Sequence, residues 1–138
     1  MVSAGDSFVE YFTVSPDVHS GFIALFHDRH PLHTDTAYAV SLGFEGIVMH
    51  GNILNGFLSY FVGRCLPEPD VMILRQEIKF SRPVFLNDRL KLDVRVVDVH
   101  ESVGLIELGC KFSNTDGKQV ASAKIDVAKI ADRRSSAP

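Results

Sequence analysis

The 138-residue chain is poor in cysteine, has no apolar run of membrane length and shows no cluster of basic residues. Each shortage closes off a class of function. The two cysteines, Cys65 and Cys110, lie in apolar patterns without metal or redox spacing, so both read as buried, reduced thiols. The longest apolar-rich segment, Ile53 to Leu66, falls short of the ~18 residues that a membrane span needs. The first residues lack the basic stretch and apolar core of a secretory leader, so a cytoplasmic protein with no membrane partner is expected. A formal net charge of -3 without clustered Lys and Arg argues against nucleic acid as a partner. Repeats and domain linkers are missing too. With 46% hydrophobic and 22% charged residues the chain is too apolar for disorder, so residues 1–132 are expected to form one domain. Residues 133–138 are expected to be a polar tail with nothing to pack.

Ser7 to Val14 is rich in aromatic and β-branched residues and reads as a strand. Ser15-Pro16-Asp17 is a helix start, with Ser15 as N-cap and Pro16 at the first helical position. Val18, Phe22 and Leu25 follow at helical spacing, and Pro31 requires the helix to stop before it. Thr34 is a suitable cap for a second short helix that carries Ala37, Tyr38 and Val40 and ends at Gly43. The longest helical pattern runs from about Gly51 to Arg64, with Ile53, Leu54, Phe57, Leu58, Phe61, Val62 and Cys65 on a wide apolar face. Asn52, Gly56, Ser59 and Gly63 line its other side. Two interior glycines, each costing about 1 kcal/mol against Ala, predict close approach of a backbone or ligand there and a helix buried on both sides.

Beyond Pro67 the period changes to two. The predicted inward sets are Leu74, Gln76, Ile78 and Phe80; Leu90, Leu92, Val94 and Val96; Ile106, Leu108, Cys110 and Phe112; and Ala121, Ala123, Ile125 and Val127. Asn87-Asp88 and Asp116-Gly117 are turn signals between them. These patterns predict an α+β domain in which a curved antiparallel sheet wraps the long helix and leaves an edge strand for a second subunit.

The chemistry-bearing stretch is Phe26-His27-Asp28-Arg29-His30-Pro31-Leu32-His33-Thr34-Asp35. Asp28 and His33 stand on either side of a proline, so the segment is not a regular helix and both side chains can turn toward one point. A carboxylate and an imidazole converging on one water make an acid/base pair near neutral pH. On the residues alone two other readings stay open. The histidines and acids can be helix caps and solvated loop groups, or His27, His30 and His33 with Asp28 and Asp35 can offer ligands to zinc or iron, although they form no recognised ligand signature.

Asp28-Arg29-His30-Pro31-Leu32-His33, then Asp35, Ala39 and Phe44, then Val48-Met49-His50-Gly51-Asn52, resembles the MaoC-like family of (R)-specific enoyl-CoA hydratases. The family pattern runs Gly-Asp-x-Asn-Pro-Leu-His, an Ala-rich short helix, and a His-Gly at the start of the long helix. Phe80-Ser81-Arg82-Pro83-Val84 and Asn87-Asp88-Arg89-Leu90 extend the resemblance over nearly the whole chain. It implies a hot dog fold, an antiparallel sheet around a long central helix. It also implies catalysis by Asp28 and His33, an oxyanion hole at the Gly51 amide, support from the helix residue Ser59, and no metal or other cofactor; His30 is a supporting candidate able to orient Asp28 or the loop backbone.

The implied reaction interconverts trans-2-enoyl and (R)-3-hydroxyacyl thioesters of coenzyme A or an acyl carrier protein. The implied assembly is a homodimer or a group of dimers. A hot dog thioesterase and a non-catalytic thioester-binding subunit are the alternatives. Two positions depart from the pattern: His27 replaces the glycine and His30 the asparagine, which changes the donors and acceptors around Asp28. His50 matches the pattern and reads either as a cap and packing residue or as a substrate contact. Arg64, Lys79 and Arg82 are candidate partners for a coenzyme or carrier phosphate.

Overall fold

The structure, a computed structural model, describes residues 1–130. The predicted tail 133–138 lies outside them. In chain order the elements are β1 (Ser7–Thr13), α1 (Pro16–Phe26), α2 (Pro31–Thr34), α3 (Thr36–Ser41), α4 (Asn52–Tyr60), β2 (Val71–Phe80), β3 (Arg89–His100), β4 (Leu105–Ser113) and β5 (Gln119–Lys129). A π-helical turn, Phe61–Cys65, continues α4. The strands form one antiparallel sheet in the order β1-β3-β4-β5-β2, so β1 and β2 are its edges. No helix among the described residues is long and apolar enough to cross a membrane.

The core follows from two periodicities meeting. Ile53, Leu54, Leu58, Phe61 and Val62 project from one side of α4 and its continuation. They join the inward sets of β3, β4 and β5, including Leu90, Val96, Ile106, Phe112 and Ile125, in one buried cluster. Those three alternations run as the sequence predicts.

The fourth set does so only at Gln76 and Ile78, and Leu74 and Phe80 are exposed. A bulge between Ile73 and Arg75 reverses the parity of β2, so Val71 and Ile73, then Gln76 and Ile78, are partly buried. Leu74 is 42% exposed. An extra residue flips every later side chain to the other face, which simple alternation cannot reveal. A second bulge between Val96 and Asp98 leaves Val97 and Asp98 both outward and turns Val99 toward the core. Leu25 likewise faces solvent, and Ile23 is the residue that α1 buries.

The caps are local. Ser15 accepts the Val18 amide at 3.2 Å, and Pro16 follows it. Asp35, not Thr34, caps α3 by accepting the Tyr38 amide at 3.2 Å. Thr34 instead closes the short helix α2, donating its hydroxyl to the carbonyls of Arg29 and His30 at 3.2 Å. Asn87 takes the left-handed conformation (φ 70°) and Gly117 does the same (φ 76°), each at a predicted turn. Cys110 is buried and its thiol is pushed up to about 12 by desolvation, whereas Cys65 is half-buried.

A buried ion pair holds one end of the domain. Lys129 Nζ, on β5, lies 3.9 Å from the Glu68 carboxylate and 3.3 Å from that of Glu101. Glu68 also accepts the Val2 amide at 3.0 Å, so the first residues are tied to the loop before β2.

The side of α4 that carries Asn52, Gly56, Ser59 and Gly63 is exposed in a single chain. The expected burial on both sides is therefore not met within one protomer. The single sheet covers one face of the helix, and α1 only approaches the other.

Candidate active site

Three backbone constraints build the site. α1 ends on His27, whose φ of 63° is left-handed and whose amide donates to the Ile23 carbonyl at 2.8 Å. This reversal throws Asp28 back toward the domain, and it is the conformation that glycine adopts most cheaply. Pro31 then starts α2, and His30 caps it by accepting the Leu32 amide on Nδ1 at 3.1 Å. The His30 amide in turn donates to Asp28 Oδ1 at 3.2 Å. His30 thus orients the loop through its backbone and caps the next helix through its ring.

The third constraint is the segment entering α4. Val48 donates to the Leu32 carbonyl at 3.0 Å, and Met49 to the Val84 carbonyl at 2.8 Å. His33 Nδ1 donates to the Val48 carbonyl at 2.7 Å. His50 Nε2 donates to the Asp28 carbonyl at 2.8 Å. Since a carbonyl only accepts, these bonds fix both tautomers and leave His33 Nε2 as a free lone pair. The Asp28 carboxylate and ligand nitrogens of His33 and His50 lie within 4.8 Å of one another.

His33 and His50 stack with centroids 4.0 Å apart. Phe22 packs on His50 at 4.5 Å, and His19 lies 5.8 Å from it while donating Nε2–H to the His33 carbonyl at 2.8 Å. His50 is 3% exposed, and burial, the largest influence on it, holds its proton affinity below the ordinary imidazole value. Gly51 directly follows. No backbone acceptor among the described residues takes its amide, which leaves it as one of the unpaired donors at the start of α4. The Phe80 ring covers this glycine so closely that a Cβ there would meet Cζ at 2.8 Å.

Two clefts meet at the start of α4, sharing Asn52 and Ile53. One is an apolar groove of about 920 Å³ between α1 and α4, walled by Phe22, Leu25, Phe26 and Phe57 and reaching Asp28. The other, about 550 Å³, contains His50, Gly51, Phe80 and Arg82. Arg82 donates to the Gln119 carbonyl at 2.6 Å.

Asp28 and His33 come together, His30 is bonded to Asp28 through its amide and Gly51 follows His50 in the chain, whereas Ser59 is exposed on α4 and none of the described hydrogen bonds joins it to the Asp28 loop. Lys79 lines a depression on the outer face of the sheet, away from Gly51. Of the possible metal ligands only Asp28 and His33 cluster, joined by His50, and His27, His30 and Asp35 are not in the group. The His33 and His50 planes lie within 29° of each other, so their in-plane lone pairs run side by side rather than converge. His19 was not signalled by any motif. Its only trace is helical spacing with Phe22, on the face that packs against His50.

Residues 6–110 match the model of the MaoC like domain. The chain belongs to this family. Over 98 residues the MaoC-like chain is 32% identical to an (R)-specific enoyl-CoA hydratase of Aeromonas caviae, covering 71% of this chain and 73% of that protein. It is 28% identical over 96 residues to a 3-hydroxybutyryl-CoA dehydratase of Methylorubrum extorquens, of which it spans 61%. The solved (R)-hydratase of A. caviae superposes with a TM-score of 0.85 at 26% identity, over 92% of this chain and 96% of that one. The MaoC-like domain thus has the hot dog fold, the long helix α4 lying against a five-stranded antiparallel sheet.

Proposed function

We propose that this MaoC-like domain catalyses the reversible hydration of trans-2-enoyl thioesters to (R)-3-hydroxyacyl thioesters. The observation that carries the reading is the approach of the Asp28 carboxylate to the fixed-tautomer ring of His33, with the unpaired Gly51 amide next in the chain to His50, the third member of that cluster. The names of the relatives agree with it.

The thioester carbonyl accepts a hydrogen bond from the Gly51 amide, aided by the positive end of α4. Asp28 and His33 hold one water over the β-carbon. His33 Nε2 takes a proton as the water oxygen bonds to that carbon, and the double-bond electrons move to the α-carbon and the carbonyl oxygen. Return of a proton to the α-carbon completes the addition of one water. The residues supply all the proton transfers, without a metal or redox group.

The acyl chain occupies the apolar groove between α1 and α4, and the pantetheine arm leaves past Arg82. The exposed small-residue side of α4 and the free edge of β2, with Met72 and Leu74 turned outward, suit a second copy of the chain. Sedimentation of the purified protein as a dimer is the expected result.

The test is loss of enoyl absorbance with crotonyl-CoA and longer 2-enoyl thioesters. Asp28→Asn and His33→Ala should each lower kcat by roughly 10²–10⁴-fold, and the double variant should lose little more, because the two act as a unit. Unchanged hydration in either variant overturns the assignment. Release of free thiol without loss of enoyl absorbance identifies a thioesterase instead.

A further inference from the structure

His50 sits where two constraints leave it no freedom. The Met49 amide bond to Val84 and the start of α4 fix its backbone on either side. Its ring is enclosed by His33 from α2, by His19 and Phe22 from α1, and by the Asp28 loop. With Nε2–H given to the Asp28 carbonyl, Nδ1 is an acceptor, and it is buried without a partner. An orphaned acceptor is unfavourable, and a phenylalanine would fill the same space without one. Packing alone therefore does not account for a histidine here. What phenylalanine cannot do is donate to Asp28.

We propose that His50 is a positioning residue: its Nε2–H holds the Asp28 carbonyl and its ring face backs His33, so that the pair keeps one geometry through the reaction. The inference rests on the hydration reading above. The titratable groups facing His50 are Asp28, His33 and His19. Burial lowers its proton affinity most, the bond to Asp28 raises it, the charge of His33 lowers it, that of Asp28 raises it and that of His19 lowers it, leaving a net lowering. His50 therefore stays neutral when His33 takes its proton, and presents a ring face rather than a second cation to the imidazolium.

Two variants separate the donor from the ring. His50→Phe keeps the stack and loses the donor, while His50→Gln keeps an amide donor at similar reach. Expected for crotonyl-CoA hydration is a fall in kcat of roughly tenfold to a hundredfold in His50→Phe, with KM changed less than about twofold, and recovery of most of kcat in His50→Gln. Wild-type kcat in His50→Phe overturns the proposal, and so does an equal loss in both variants that tracks their thermal unfolding.

Nitrogen-15 spectra of the intact wild-type chain give an arm independent of turnover. His50 is expected in the Nε2–H form and uncharged where an ordinary histidine titrates. An Nδ1–H form, or ordinary titration, overturns the clamp even if the variants fail to fold. A wild type that hydrates no 2-enoyl thioester of any length defeats the hydration reading, while the spectra still decide whether His50 holds Asp28.

Discussion

Gly51 and Phe80 are in contact at the start of α4: the position a Gly51 side chain would take lies 2.8 Å from Phe80 Cζ and 3.0 Å from Cε1. Gly51 has φ -58° and ψ -35°, which any residue adopts, so the glycine is required by the ring and not by the backbone. In the wild-type background Gly51→Ala is expected to cost about 1 kcal/mol, softened because Phe80 is 53% exposed and can swing. In a Phe80→Ala background the same change should instead stabilise by about 0.5 kcal/mol, since the clash is gone and the unfolded chain is restricted. Thermal or urea unfolding of the four proteins checks this reversal of sign. Hydration should fall at least tenfold in both Gly51→Ala proteins, because the added methyl crowds the amide proposed to bind the thioester carbonyl.

The lowered proton affinity of His50 predicts a pH dependence of folding. In the unfolded chain the imidazole titrates near 6.5, whereas in the folded chain burial keeps it deprotonated to lower pH. Between those two values the unfolded state binds more protons, so stability rises with pH through the window and falls as the medium is acidified below about 6.5. Above 6.5 this group contributes no slope. Urea midpoints at pH 5.0, 6.0 and 7.0 should show the decline, and His50→Gln should flatten it. A slope unchanged by the substitution would assign the effect to another group.

Much of the fold was legible because two periods are written plainly in the chain. The inward residues of β3, β4 and β5 and the apolar face of α4 could be counted off directly, and Ser15, Asn87 and Gly117 carry their own backbone signals. The bulges at Leu74 and Val97 were not legible, because a bulge is decided by the neighbouring strand. The cap of α3 was missed by one residue for a similar reason. Thr34 and Asp35 are both competent caps, and only the extra turn of α2 assigns the role to Asp35.

In the candidate site, Asp28 and His33 were singled out by their spacing, and Gly51 and His30 by comparison with the family pattern, but the contacts that tie this region together were not legible. They are hydrogen bonds between the Asp28–His33 loop and the Val48–His50 segment, and the contacts of His19, which only the packing of α1 brings near. The ion pair of Glu68 with Lys129 joins residues distant in sequence and had no signal at all.

That ion pair should show itself on removal of one partner. Lys129→Met leaves the Glu68 carboxylate buried with only the Val2 amide to compensate it, and a loss of about 3 kcal/mol is expected. Adding Glu68→Gln to Lys129→Met should restore more than half of the loss, because the uncompensated charge is then gone. The urea midpoints of the two single variants and the double variant measure the coupling directly. Strict additivity would mean that water already compensates Glu68.

The departure at His27 has a conformational consequence separable from chemistry. With φ at 63°, a side chain with a Cβ sits in the left-handed region at a cost of about 1–2 kcal/mol, of which glycine avoids most. Glycine also gives the unfolded chain more freedom, which offsets about 0.5–1 kcal/mol of the gain. His27→Gly is therefore expected to stabilise the domain by about 0.5–1 kcal/mol, seen as a rise in Tm of a few degrees. The side chain is exposed and lies outside the Asp28, His33 and His50 cluster, so kcat for hydration should change less than about twofold. A large loss of kcat in a more stable protein would give the His27 ring a role at the site that its position in the fold does not suggest.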